Sequence, residues 1–512
     1  MRNRICLIFV FLVNSQVFGG PPEPLVPKVR EAVQPEMDRH LAEPQKATLT
    51  DLAKGELIPA HFKPPLRTRA LKDPWGALIE TEKYGLDLAA VAAGGPKKLP
   101  EILSRLDDFL ERSNNAKVTI VERGKLTTLD DHLRYIARVL DAAHQLRDDA
   151  ISKLSKADRE LVFGQPAKFI DEFSPQVRFS EKRQPQLRDD LAFITLWQQT
   201  IRRDVFRASV RTFLQLTDPA YLDELKNAMA SAGQISGKNP NGMTGEMLAV
   251  RETRHGLIVL AGSKQNTFKL DRPVAFLADL GGDDLYQGTI ASSFGMEYPF
   301  SILVDFSGDD TYEGSQLGLA TGRLGCGCLI DRGGNDIYKV VAGGGGCGFA
   351  GVGILVDESG HDKYKGGRFS LGSAAAGSGL LLDVGGDDVY SAPGYSLGLG
   401  APCGVGAIVD LAGDDRYRCG FEYGSGYNST DAPTAKPGDA NYQYDAFGLG
   451  VGLGRRTYPF SAEGDKYNLA GGVGVWIDVA GNDRSESSNF SQACSYFFGI
   501  GLKMDLAGND HH

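Results

Sequence analysis

Asp279-Leu-Gly-Gly-Asp-Asp-Leu-Tyr286 is one of eight copies of a single phrase: Asp, a spacer, a small residue, Gly, a further residue, a second Asp, a spacer and, in six copies, Tyr. The other copies begin at Asp305, Asp331, Asp357, Asp383, Asp410, Asp478 and Asp505. The first five lie 26 residues apart, and a fixed period of this size marks a stacked repeat array. Ahead of each phrase runs a short aliphatic stretch, such as Ile302-Leu303-Val304, Ile354-Leu355-Val356 or Leu380-Leu381-Leu382, the pattern of a buried strand. Alternating glycine, as in Gly325-Cys-Gly-Cys328 and Gly404-Val-Gly406, sets the side chains on one strand face and lets backbones approach on the other.

Leucine-rich repeats need a Leu spacing that does not recur here, and propeller blades need about 40 residues to hold four strands. A parallel β-helix remains, with two or three short strands per coil and coils stacked about 4.8 Å apart. Stacking places Asp279, Asp305, Asp331, Asp357, Asp383, Asp410 and Asp478 in one column. Asp284, Asp310, Asp336, Asp362, Asp388, Asp415 and Asp483 form a second. Like charges about 4.8 Å apart repel by roughly 3 to 4 kcal/mol at an effective dielectric of 20, so the columns need compensation. Two kinds are open: turn N–H groups capping the carboxylates, or bound cations, for which Ca2+ is the oxygen-seeking candidate.

The core of the phrase, Gly334-Asn335-Asp336-Ile337-Tyr338, resembles the haemolysin-type (RTX) calcium repeat. Gly334 falls on that family's third glycine, Asp336 on its calcium-ligating Asp and Tyr338 on its inward apolar residue; Asp284, Asp310, Asp362, Asp388 and Asp415 match likewise. The resemblance implies a Gly-Asp corner and Ca2+ as cofactor at the Asp columns. It covers about eight residues per repeat, Asp331 and Arg332 stand where the family has glycines, and this chain has one corner per coil where the family has two.

Tyr286, Tyr312, Tyr338, Tyr364, Tyr390 and Tyr417 are expected to stack as a packing ladder. Lys339, Lys365 and Arg418 follow Tyr directly and are expected to neutralise neighbouring acid. His255-Gly-Leu-Ile-Val-Leu-Ala-Gly262 with Asn266-Thr-Phe268 reads as a degenerate first coil, and Glu463-Gly-Asp-Lys-Tyr467 as a decayed phrase. Residues 421–446 read as an insertion, and Tyr423, Tyr427, Tyr442 and Tyr444 as its candidate ligand contacts.

Arg2 and Arg4 ahead of the apolar run Ile5 to Val13, with Val17-Phe-Gly19 after it, read as a secretory signal peptide over 1–19. Elsewhere no stretch is apolar enough for a membrane helix, so a secreted or envelope location without a transmembrane segment is expected. Residues 20–75 suggest an extended Pro-rich arm and 76–231 an α-helical domain. Its helices are expected from Pro100, over Leu129–Ala143, and as one long helix through Leu191, Ile194, Ile201, Val205 and Ala208. A linker over 232–248 leads to the solenoid at 249–512. The fold class is thus α+β multidomain, an N-terminal α-helical domain followed by a C-terminal parallel β-helix.

The net charge of -10 gathers in the C-terminal half, which weighs against a nucleic-acid partner and favours cations or basic partners; the expected partner of the exported scaffold is a polysaccharide or an envelope protein. Gly394-Tyr-Ser396-Leu-Gly398 matches a nucleophile elbow, yet Ser396 is the 26-residue echo of Ser370 and reads as repeat packing. Cys326, Cys328, Cys347, Cys403, Cys419 and Cys494 occupy different columns and read as buried thiols. Repetition this regular points to a non-catalytic structural or adhesive protein, with a polysaccharide-acting β-helix lyase or hydrolase as the alternative.

Overall fold

The computed structural model describes residues 27, 28, 31, 74–110, 116–172, 184–233, 239–455, 457 and 466–512. The signal peptide, most of the Pro-rich arm and residues 463–465 of the decayed phrase lie outside them. Among the described residues, seven α-helices from Pro74–Ala92 to Pro219–Ala230 precede a parallel β-solenoid of about eight turns. None of the described helices is long and apolar enough to cross a membrane.

Two long sheets build the solenoid. A ten-stranded sheet collects the strands that end on the first Asp of each phrase, and a nine-stranded sheet collects those that carry Tyr. Register is residue for residue: Cys326–Asp331 pairs with Val352–Asp357 so that Asp331 faces Asp357, and Tyr338 faces Tyr364. The Tyr rings stack face to face with centroids 4.6 to 4.8 Å apart. All six are buried and pack against Leu303, Leu329, Leu355, Leu381 and Ile408 from the opposite sheet.

The strands before each Asp are buried on both faces, which is why they read as unbroken aliphatic runs. Ile302, Val304, Ile354, Val356, Leu380 and Leu382 point away from the Tyr column into a core shared with Leu106, Ile136, Val210 and Phe213 of the helices. The helices therefore roof the ten-stranded sheet and share its core. Polar anchors fasten this roof. Arg207 bridges Asp107 (2.7 Å) and Ser378 Oγ (3.1 Å), Arg147 donates to the carbonyls of Leu324 and Met296, and Arg455 pairs with Asp190. The helix expected to run unbroken from Leu191 to Ala208 is two, Gln184–Gln199 and Arg203–Phe213. The break lies where the N–H of Arg202 leaves the helical ladder to donate to the carbonyl of Ala150 on a neighbouring helix.

Both ends of the array are modified coils. At the first, Met247–Thr253 folds antiparallel onto Gly256–Ala261, and Phe268 continues the ring stack below Tyr286 at 4.9 Å. Strand pairing already begins at Met243, inside the expected linker. At the last, Trp476 packs edge-on against Tyr417 and Ser485 takes the next Tyr position, a large-for-small exchange. Lys503 then lies over the Trp476 ring at 4.2 Å and contacts His512 Nδ1 at 2.7 Å. Burial lowers the Lys503 pKa to about 8.

The Gly of each phrase is what lets corners stack. A Cβ on Gly360 would sit 1.8 Å from the carbonyl oxygen of Gly334, and one on Gly386 would sit 1.6 Å from that of Gly360. Gly360→Ala is expected to cost about 3 kcal/mol or more, because the obstacle is backbone. Gly164→Ala, on a helix with open space around it, should be neutral or stabilising by up to about 1 kcal/mol. Urea unfolding of the two variants checks this contrast.

Candidate metal centre: the buried carboxylate columns

Each phrase forms a corner whose two Asp carboxylates are held by donors from two coils, their own and the one before. Asp357 illustrates the first column: its Oδ1 accepts the N–H of Ser359 at 3.0 Å and its Oδ2 accepts the hydroxyl of Tyr338, one coil back, at 2.6 Å. Tyr312 serves Asp331, Tyr364 serves Asp383 and Tyr390 serves Asp410 in the same way. Burial and the adjacent carboxylates push the Tyr pKa values well up, so these hydroxyls remain donors. In the second column, Oδ1 of Asp362 accepts the backbone N–H of Asp336 at 2.6 Å, and the bond repeats from Asp284 through Asp310, Asp388, Asp415 and Asp483 to Asp510.

That arithmetic leaves one oxygen per coil over. Oδ2 of Asp310, Asp336, Asp362, Asp388, Asp415, Asp483 and Asp510 is buried and has no hydrogen-bond partner. Except for Asp510, these side chains are at most 2% exposed, out of reach of bulk water. Five of the residues that carry these oxygens fall in clusters of three carboxylates: Asp310 with Asp331 and Asp336, Asp336 with Asp357 and Asp362, Asp362 with Asp383 and Asp388, Asp388 with Asp410 and Asp415. Within each cluster one oxygen from each residue lies within 4.8 Å of the others. At the N-terminal end Asp279, Asp284 and Asp305 form a cluster of different make-up, two first-column acids with one from the second, and Asn266 Nδ2 donates to Asp279 where an earlier coil would have supplied Tyr. An all-oxygen, anionic, desolvated set of this kind could hold a hard metal ion.

Without a cation, protons are the alternative occupant. Desolvation, reinforced by neighbouring carboxylates, raises Asp279 to about 10, Asp310 to about 11, and Asp336 and Asp388 to about 9. Asp362 and Asp415 rise to about 7, Asp331 and Asp483 to about 6, chiefly through desolvation. A proton shared between the two Asp of one phrase and a cation between coils satisfy the same oxygens.

All the Asp residues singled out in the sequence converge in this arrangement, so both columns stand as expected. A third column was not anticipated. The residue before the second Asp, treated as a spacer in the phrase, is Asp283, Asp309, Asn335, His361, Asp387, Asp414, Asn482 and Asn509 in turn. Its side chain accepts the N–H of its counterpart one coil on, as Asp309 Oδ1 does from Asn335 at 2.8 Å and His361 Nδ1 does from Asp387 at 2.8 Å. Every occupant is a short side chain with an acceptor, which is the signal that could have revealed it. The cations behave differently from expectation: Lys339, Lys365 and Arg418 point out of the nine-stranded sheet, because strand alternation turns them away from the buried acids. Lys339 pairs with Glu313 at 3.0 Å.

Ser396 is fully buried and bonds to Ser370, as repeat packing requires. All six described cysteines are buried. The 421–446 insertion is pinned by Asn428, whose side-chain amide donates to the carbonyl of Gln443 and accepts its N–H; Tyr427 is exposed at its surface and Tyr423, Tyr442 and Tyr444 are half-buried. Comparison of the chain with known protein families, with curated proteins and with solved structures finds no match.

Tyr338→Phe leaves Oδ2 of Asp357 without its donor and is expected to lower stability by about 1 to 3 kcal/mol in denaturant titration. The pH dependence has a defined sign. Carboxyls whose folded pKa lies above the unfolded value of about 3.9 stabilise the fold at low pH, and that contribution is lost as pH rises through the folded values, from about 6 for Asp331 to about 11 for Asp310. In chelator, the melting temperature should therefore fall as pH rises from about 5 to about 9. Asp362→Asn, which mimics the protonated acid, should flatten that slope; a steeper slope in the variant contradicts proton sharing.

Proposed function

We propose that the chain is an exported, non-catalytic repeat protein, a rigid structural or adhesive scaffold of the cell envelope or exterior, stiffened by Ca2+ in its carboxylate columns. The observation that carries this reading is the burial of the phrase acids. Asp336, Asp357, Asp362, Asp383 and Asp388 are at most 1% exposed, and they repeat in the same surroundings from coil to coil. A polysaccharide-cleaving enzyme needs acid and base groups on one open surface, differing from coil to coil. Here Lys339 and Lys365 stand on the outer side of the sheet while Asp336 and Asp362 lie beneath it, so a polymer cannot touch both sets. Export rests on Arg2, Arg4 and the apolar run Ile5 to Val13. Calcium rests on the orphaned Oδ2 atoms and on the Gly-Asp corner shared with RTX repeats.

Thermal unfolding of the full chain at neutral pH, with Ca2+ and then with chelator, tests the reading. The intact chain is required because the helices roof an apolar sheet face. Calcium binding only to the folded form should raise the melting temperature by about 5 °C or more. Identical melting in Ca2+ and chelator overturns the calcium assignment. Release of new reducing ends from a panel of polysaccharides overturns the non-catalytic one.

A further inference from the structure

We infer that the outer face of the nine-stranded sheet carries a binding bed for an acidic polysaccharide, framed by Lys363, Lys365, Arg416 and Arg418. This rests on the scaffold reading above and names its partner class. Parallel register aligns Lys363 with Val389 and Arg416, and Lys365 with Ser391 and Arg418. Two cationic rows thus flank one neutral row. With strands about 4.8 Å apart and same-face residues about 6.6 Å apart along a strand, the frame measures about 10 by 7 Å. Val389 and Ser391 form its floor; Val389 is 39% exposed, an unusual place for an aliphatic side chain on a solvated sheet.

The cations are not consumed by the fold. On the earlier coils the same face neutralises itself, since Gln287 donates to Glu313 at 2.8 Å and Lys339 pairs with Glu313. Lys363, Lys365 and Arg416 are exposed and have no ion-pair partner among the described residues. Arg418 reaches Glu486 only at 3.8 Å and lies over the ring of Phe421 at 4.8 Å. Four cations gathered on one patch of a chain with net charge -10 raise the energy of the free protein, and an anionic ligand relieves that repulsion. Asp387 and Asp414 border the frame on its corner side, where they accept backbone N–H groups, so the approach is from the opposite side, where Phe421 is 40% exposed.

Flat sheet, paired rows of charge and a flanking aromatic suit a linear polymer with one carboxylate per sugar ring: cations take the carboxylates, and Phe421 takes an apolar sugar face. Export favours such a polymer over nucleic acid.

The test is binding of the full chain to polygalacturonate, with neutral dextran, single-stranded poly(dT) and vesicles of phosphatidylglycerol and phosphatidylcholine as comparators. Polygalacturonate should bind in a salt-sensitive manner and dextran should not. The quadruple neutralisation Lys363→Gln, Lys365→Gln, Arg416→Gln, Arg418→Gln should weaken binding by about tenfold or more, each exposed contact contributing little alone. Lys339→Gln should leave binding unchanged. A folded quadruple variant is verified by a cooperative melting transition at or above the temperature of the original chain. Should it misfold, Val389→Asp, which places one acid at the centre of the frame, must weaken binding instead. No binding of polygalacturonate, equal binding by a folded quadruple variant, or preferential binding of poly(dT) or vesicles overturns the inference. Those results leave the scaffold reading standing, whereas cleavage of the bound polymer overturns the scaffold reading and leaves the bed.

Discussion

The backbone N–H of one corner donates to the carboxylate of the next, and the rest of the solenoid depends on that bond. Because donor and acceptor belong to the same phrase position on successive coils, only a stack in strict register satisfies it. The register in turn brings Tyr over Tyr and supplies the hydroxyl that the first Asp needs one coil later. Hydrogen bonds to ionised, buried acceptors are among the stronger ones available to a protein. The cost is a line of acids held out of water, with one oxygen per coil unmatched, and that oxygen gives the columns their capacity for an ion or a proton.

Asn266 opens the columns by offering an amide to Asp279 and its own N–H to Asp284. On the last described coil His512 Nε2 lies 3.2 Å from Asp505 Oδ2. Lys503, buried over Trp476, places a positive charge where the aliphatic column would otherwise continue. The helices solve a different problem: the ten-stranded sheet is apolar on both faces, and the face turned from the Tyr stack would be open to water without them.

The repeat was legible because its chemistry is local and periodic. Asp, Gly and Tyr at fixed offsets specify corner, clearance and stack; Asp and Gly recur in all eight phrases and Tyr in six. The third ladder escaped notice because Asp, Asn and His look unalike as letters, although all present an acceptor at the same reach. The roof of helices could not be read from amphipathic spacing, which gives a buried face but not what covers it. Nor could the cationic frame, since Lys363 and Arg416 are 53 residues apart in sequence and meet only through the pairing of both strands with Val389–Ala392. The split at Thr200 was hidden for a related reason: the partner of the Arg202 N–H is a carbonyl on another helix.

Infrared spectroscopy of the carboxyl stretching region reads the occupant of the orphaned oxygens directly. The metal-free chain, folded at neutral pH, should show absorption from protonated, buried carboxyl groups, and Ca2+ should remove it as carboxylate bands grow. A folded, metal-free chain with every carboxyl ionised, unchanged by Ca2+, would contradict the account.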